Sequence, residues 1–232
     1  MDLPLYLLAI AAMIFSIWAQ FKVKSTFNKY SRVYTRGGRT AAQVADMILR
    51  SAGINNVRIE RVRGSLTDHF DPQTNTLRLS DSVYDSTSAA AVGVAAHEAG
   101  HAVQHAVGYT PIKIRSSLVP AASFASRFTW VLIMLGILMM GVTNDGLGYY
   151  VMLAGVGLFS VVTLFELVTL PCEFNASRRA MEALESSGWY GTDELTSSRK
   201  VLTAAALTYV AALAVSLIQL LRLISRLNNR RR

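Results

Sequence analysis

The sequence predicts a mainly α-helical membrane protein with about four hydrophobic helices and a small β-sheet. Three observations predict it. Charged residues make up only 16% of the 232 positions, against about 25% in soluble chains. Hydrophobic residues reach 52% and gather in long runs. Between the runs lie polar stretches patterned as short helices and strands.

The first run, Leu3–Phe21, is nearly all apolar and close to the length that crosses a hydrocarbon core of about 30 Å. Gln20, Lys22, Lys24 and Lys29 mark its exit into water. No small-residue cleavage site follows, so it reads as a retained transmembrane anchor over residues 1–21. Residues 22–127 read as a water-facing block. Thr40 and Gln43 form a capping box, with Val44, Met47 and Ile48 at helical spacing and Gly53 as the stop. Val57 and Ile59 alternate with Arg58 and Glu60, and Leu77 and Leu79 with Arg78 and Ser80. These are two short strands, separated by a turn at Asp71-Pro72. Ser86, Thr87 and Ser88 offer N-caps for a helix over Ala89–Val107 that Gly108 ends.

Two further runs, Phe128–Val142 and Tyr149–Leu170, flank Thr143-Asn144-Asp145-Gly146. They predict a membrane hairpin over residues 128–170. Pro171 is expected to break the helix. Residues 171–203 then form an amphipathic helix, with Glu173, Arg178, Arg179, Glu182 and Glu185 beside Phe174, Ala176, Met181 and Leu184. The fourth run, Leu202–Leu221, gives a hydrophobic helix and a basic tail over residues 204–232.

The net charge of +8 sits largely beside the apolar runs, as suits anionic headgroups. No RNA- or DNA-binding signature is present, so no nucleic-acid partner is expected. The excess of Lys and Arg puts residues 22–127 and 171–203 in the cytoplasm and Asp145 outside. The arginines of the tail then oppose the rule if the fourth run spans, so a re-entrant or surface-lying fourth run stays open. Cys172 is the one cysteine, which excludes an intramolecular disulfide and a multi-cysteine metal site.

The chemistry lies in His97-Glu98-Ala99-Gly100-His101. Histidines four apart on a helix share a face, about 6 Å apart along the axis. Both imidazoles can reach one zinc ion at about 2.0–2.1 Å. Glu98 is offset from His97, does not bind the metal, and can act as general base toward water activated by the ion. His105 lies about 12 Å from His97 along the axis and reads as supporting or structural. Catalytic zinc usually takes a third protein ligand and leaves one position open. Glu166, Cys172, Glu173, Asp68 and His69 are the candidates. An acid inside an apolar run, such as Glu166, is a functional candidate by default.

HEAGHAVQH, followed after a hydrophobic hairpin by PCEFNASRRA, resembles the YugP-like neutral zinc metallopeptidase family. LTDHFDPQTNTLRLS at Leu66–Ser80 resembles it too. More distantly, the arrangement is similar to HtpX-type membrane proteases. The resemblance implies Glu173 as third ligand with His97 and His101, one Zn²⁺ per chain, and a gluzincin-like zinc peptidase core. The distant relatives typically carry aspartate four residues after that glutamate. Here the position is Ser177, and a serine does not orient a ligand as an acid would. The broad class also implies an edge strand beside the active helix, for which Leu77–Ser80 is the candidate. For oxyanion stabilisation the candidates are His69, Tyr84, Tyr109, Arg178 and Arg179.

The expected function is a membrane-bound zinc-dependent endopeptidase, multi-pass in a bacterial-type plasma membrane with its site on the cytoplasmic side. Its substrates would be proteins or peptides, membrane proteins among them by analogy with HtpX-type proteases. The alternative is a non-catalytic membrane scaffold with a structural zinc closed by His69 or Cys172. A metal transporter fits poorly, since Glu166 is the one acid within the membrane runs and no row of polar ligands accompanies it.

Overall fold

The computed structural model describes residues 3–142 and 146–230. Nine elements follow in order: α1 (Leu3–Tyr30), α2 (Ala41–Ser51), β1 (Arg58–Val62), β2 (His69–Asp71), β3 (Thr76–Ser80), α3 (Ala89–Ala106), α4 (Thr110–Val142), α5 (Leu147–Ser186) and α6 (Thr192–Arg230). The residues group into two compact units. One comprises residues 1–18, 114–170 and 209–232, the other residues 19–113 and 171–208. The expected hairpin turn at Thr143–Asp145 lies outside the described residues.

The second unit holds the short elements. Thr40 Oγ1 accepts from the Gln43 N–H, and Gln43 Oε1 accepts from the Thr40 N–H, so the capping box closes in both directions. Gly53, at φ 74°, ends α2 in the left-handed region, where a residue without Cβ is unstrained. Asp71 accepts from the N–H groups of Gln73 and Thr74 and from the Thr74 hydroxyl, which builds the turn into β3. Ser88 caps α3 by accepting from the Ala91 N–H at 3.2 Å.

The sheet differs from expectation in one respect. Its order is β1-β3-β2, with β1 parallel and β2 antiparallel to β3. The strand at Leu77–Ser80 is therefore central, not an edge, and Leu77 and Leu79 are fully buried. The unanticipated β2 covers its other side. With only three residues, β2 has too short an alternation to register as a strand in sequence.

Alanines fill α3 because its neighbours come close. Ala90, Ala91, Ala95, Ala96 and Ala99 join Val44, Leu49, Leu77, Leu79, Val83 and Leu202 in one buried core. The helix lies against α2, β2 and β3. Ser198 of α6 donates to the Ala89 carbonyl at 2.8 Å, and a Cβ on Gly93 would meet the Ser198 Cβ at 3.1 Å. Glu194 accepts from the N–H groups of Arg36 and Gly191, which ties the start of α6 to the chain leaving α1.

Pro171 does not break its helix. The apolar run and the polar segment after it form one 40-residue element. An interior proline costs about 3 kcal/mol. Here Cys172, Glu173, Ala176, Ala180 and Leu184 beyond it are all buried, and that packing offsets the local cost.

In the first unit, Ile133, Met152, Val156, Phe159, Leu223 and Leu227 make a second core. Cβ atoms on Gly136 and Gly155 would approach backbone nitrogens of the facing helix to 2.5 and 3.0 Å, so α4 and α5 meet backbone to backbone. Large apolar side chains of α4, among them Phe128, Val131, Met134 and Leu138, are exposed, as lipid-facing helices require. The fourth run is uninterrupted within α6, which speaks against a re-entrant loop. Among the described residues, four helices are long and apolar enough to cross a membrane.

Candidate metal centre

α3 carries His97, Glu98 and His101, and α5 carries Glu173. The approach of these helices is set by a glycine. A Cβ on Gly100 would lie 2.7 Å from the carbonyl oxygen of Ala176, one turn beyond Glu173. Any larger residue would hold α5 away.

Glu173 Oε2 lies 3.2 Å from His97 Nε2 and 3.4 Å from His101 Nε2. The two imidazoles meet nearly perpendicular, at 86° and 4.8 Å between centroids. All three donor atoms lie within 4.8 Å of one another. Donors placed tetrahedrally at zinc bond lengths stand about 3.3 Å apart, so the carboxylate already sits at that separation from both rings. Two imidazole nitrogens and one carboxylate oxygen are a donor set that catalytic zinc takes while keeping a position open. The residues present therefore fit the ion. Glu98, next to His97, is buried.

The far nitrogens of both rings are also engaged. His97 Nδ1 meets Ser177 Oγ at 3.1 Å and His101 Nδ1 meets Gln104 Oε1 at 3.0 Å. The serine that stands where distant relatives carry an acid thus still contacts the ring it would orient. Burial works to raise the Glu173 carboxyl, but the hydrogen bonds from His101 and His97 outweigh it and hold it well below the usual range. Burial likewise works to lower the His101 imidazole, and Glu173 and the Glu98 charge together raise it.

A pH dependence follows. Zinc needs a neutral imidazole, and the raised His101 holds its proton above the ordinary histidine value near 6.5. Zinc uptake should therefore release protons and weaken as pH falls through the raised value. Zinc affinity measured by chelator competition across pH 6–8 should rise with pH; a flat profile would contradict the arrangement.

The other sequence candidates lie elsewhere. Asp68 accepts from the Ser80 N–H and hydroxyl at 2.7 and 2.9 Å. Burial pushes its carboxyl up against those bonds, and the Glu98 charge adds to the rise. His69 is exposed, with Nδ1 2.9 Å from the Thr67 carbonyl. Cys172 is buried and its backbone carbonyl accepts from Gln104. Glu166 belongs to the other unit and stands outside the donor group. His105 lies tilted against Phe70 of β2, with ring centroids 5.5 Å apart. Of the oxyanion candidates, Tyr84 lies under the Arg61 guanidinium, Arg178 pairs with Glu182, and Arg179 donates to Asn175. A cavity of about 250 Å³ lined by Val44, Met47, Leu184, Trp189 and Tyr190 contains none of the donors. Sequence reasoning missed Gln104 and Asn175, although Gln104 falls three residues after His101, on the same helical face.

The family described as "Putative neutral zinc metallopeptidase" matches residues 5–228. The chain belongs to this family. The resemblance carried by HEAGHAVQH and PCEFNASRRA is borne out, and zinc is the metal of this peptidase family. A curated relative, "Putative membrane protease YugP" of Bacillus subtilis (strain 168), is 46% identical over 217 residues, 94% of this chain and 93% of the relative. No solved structure matches. Membrane association agrees with that relative's description and with the four apolar helices.

Proposed function

We propose that this zinc metallopeptidase is a membrane-bound endopeptidase of the HEXXH, gluzincin-like type, with His97, His101 and Glu173 as metal ligands and Glu98 as general base. The observation that carries the reading is the convergence of two imidazoles and one buried carboxylate within 4.8 Å, beside a second buried acid.

Zinc bound there would polarise the scissile carbonyl and lower the pKa of a water molecule. The histidines and Glu173 hold and orient the ion. Glu98 accepts the proton of the attacking water and returns it to the leaving amine nitrogen. Its burial keeps competing water away and strengthens its interactions. Substrate lies extended along the free side of β2, the edge strand that adjoins α3. Backbone pairing there fixes a peptide without demanding one sequence. Lys22, Lys24, Lys29, Lys113, Arg178, Arg179, Arg199 and Lys200 favour the cytoplasmic side for this unit. The arginines beyond Leu221 oppose the rule in that orientation, but they are fewer. Substrates include proteins presented at the membrane face.

A closed structural site would need a fourth protein donor. Among the described residues the donor group has three members, so the scaffold reading has no observation in its favour.

The test is zinc content and casein hydrolysis of detergent-purified wild type and Glu173→Ala. Wild type should hold about one zinc and cleave casein. Glu173→Ala should lose more than about 100-fold in zinc affinity, beyond the effect of altering a supporting residue. Undiminished zinc binding by Glu173→Ala would exclude Glu173 as ligand, and a zinc-loaded wild type inert toward peptides would overturn the peptidase reading.

A further inference from the structure

Gln104 is fully buried, and its amide is bonded on both sides. Nε2 donates to the Cys172 carbonyl at 2.8 Å and to Asn175 Oδ1 at 2.9 Å. Oε1 faces His101 Nδ1 at 3.0 Å. Amide orientations are often interchangeable, but here two groups of fixed character remove the choice. A backbone carbonyl only accepts, so the Gln104 atom facing Cys172 must be the NH₂. A guanidinium only donates, and Arg179 Nε donates to Asn175 Oδ1 at 2.9 Å. Asn175 therefore turns its oxygen toward both Arg179 and Gln104. That leaves Gln104 Oε1 for His101, where an acceptor requires a proton on Nδ1.

We infer that Gln104 is a positioning residue for zinc, holding His101 in the Nδ1–H form with Nε2 directed at the metal, in a relay anchored by Arg179. The inference rests on the proposed ligand set. Nε2, which faces Glu173, is then the nitrogen turned toward the donor group, while the Nδ1 proton stays with Gln104. The same amide joins α3 to α5 two residues from Glu173 and one from it in the other direction, at Asn175 and Cys172. It fixes one ligand's ring and the backbone beside another. Loss of a group that orients a ligand typically weakens metal binding 10–100-fold.

The experiment compares wild type, Gln104→Met, Gln104→Glu and His101→Ala as full-length chains in detergent. Zinc affinity is read by chelator competition and folding by thermal unfolding. With ¹⁵N-histidine labelling, the ring Nδ1–H resonance of His101 is followed in the zinc-loaded protein; the chain has four histidines, so assignment is tractable. Gln104→Met has similar volume and no strong acceptor. It should bind zinc 10–100-fold more weakly and lose the downfield, slowly exchanging Nδ1–H signal. Gln104→Glu keeps an acceptor and should retain that signal, with affinity within about tenfold of wild type. Purely structural support would not make the signal follow the acceptor. If His101→Ala loses zinc while Gln104→Met keeps both affinity and signal, this inference is overturned and the ligand set stands. If His101→Ala binds zinc as wild type does, the ligand set itself falls. Should Gln104→Met not fold, Gln104→Glu decides: loss of its Nδ1–H signal overturns the inference.

Discussion

Glu98→Gln is expected to bind zinc as the wild type does and to hydrolyse casein about 10²–10⁴-fold more slowly, the range attributed to a positioned general base. The amide fills the same space, so the buried packing of α3 is kept. It cannot accept the proton that the attacking water must lose. Because Glu98 is not in the donor group, metal content should stay near one per chain. It should also remove one of the charges that raise His101, so zinc uptake should persist to slightly lower pH than in wild type. Zinc analysis and casein hydrolysis on the same preparations decide it. Equal turnover by the two proteins would remove Glu98 from the chemistry, and loss of zinc would mean that the acid acts on the metal site.

Gly100→Ala should disable the site without touching a ligand. Its new Cβ would stand 2.7 Å from the Ala176 carbonyl oxygen and 3.3 Å from that residue's Cα. These are backbone atoms and cannot rotate aside. α3 and α5 must separate, and Glu173, one turn before Ala176, moves with its helix. Overpacking of this kind typically costs about 1–3 kcal/mol. The zinc site should suffer more than the fold, because bond lengths near 2 Å tolerate little displacement. Gly93→Ala is the matched control. It lies on the same helix, and its Cβ would meet Ser198 Cβ at 3.1 Å and Cα at 3.3 Å, a milder contact that a shift of a few tenths of an ångström relieves. Gly100→Ala should therefore lose zinc affinity at least tenfold more than Gly93→Ala at similar thermal stability. Equal zinc affinity for the two variants would show that the close approach at Gly100 is not what sets the ligand geometry.

What was legible in sequence was local. The capping box at Thr40 and Gln43, the stops at Gly53 and Gly108, and the turn after Asp71 each depend on residues a few positions apart. The two histidines and Glu98 were legible because a helix fixes their relative directions. Glu173 was reached only through resemblance, since nothing local distinguishes it from Glu166 as a donor. The centrality of Leu77–Ser80 was hidden because it depends on where β2 pairs, and three residues carry too little pattern to announce a strand. The helix was expected to stop at Pro171, but tertiary burial beyond that residue overrode the local preference. The contacts of Gln104 were hidden for a related reason. They join positions 68 and 71 residues apart, and an interior glutamine gives no periodic sign that both ends of its amide will be bonded.

The proposed ligands are split in an uneven way. His97 and Glu173 are 76 residues apart, and both apolar segments of the hairpin lie between them. Synthesis runs from the amino terminus, so a growing chain exposes its histidine pair long before the acid exists. A chain arrested anywhere short of Pro171 carries the proposed general base and two imidazoles but cannot complete the proposed three-ligand site. The same order means that Glu173 emerges only after both hairpin segments have been made and are available to the insertion machinery. On the proposed ligand set, chains terminated before Glu173 therefore lack a complete site and should be proteolytically silent.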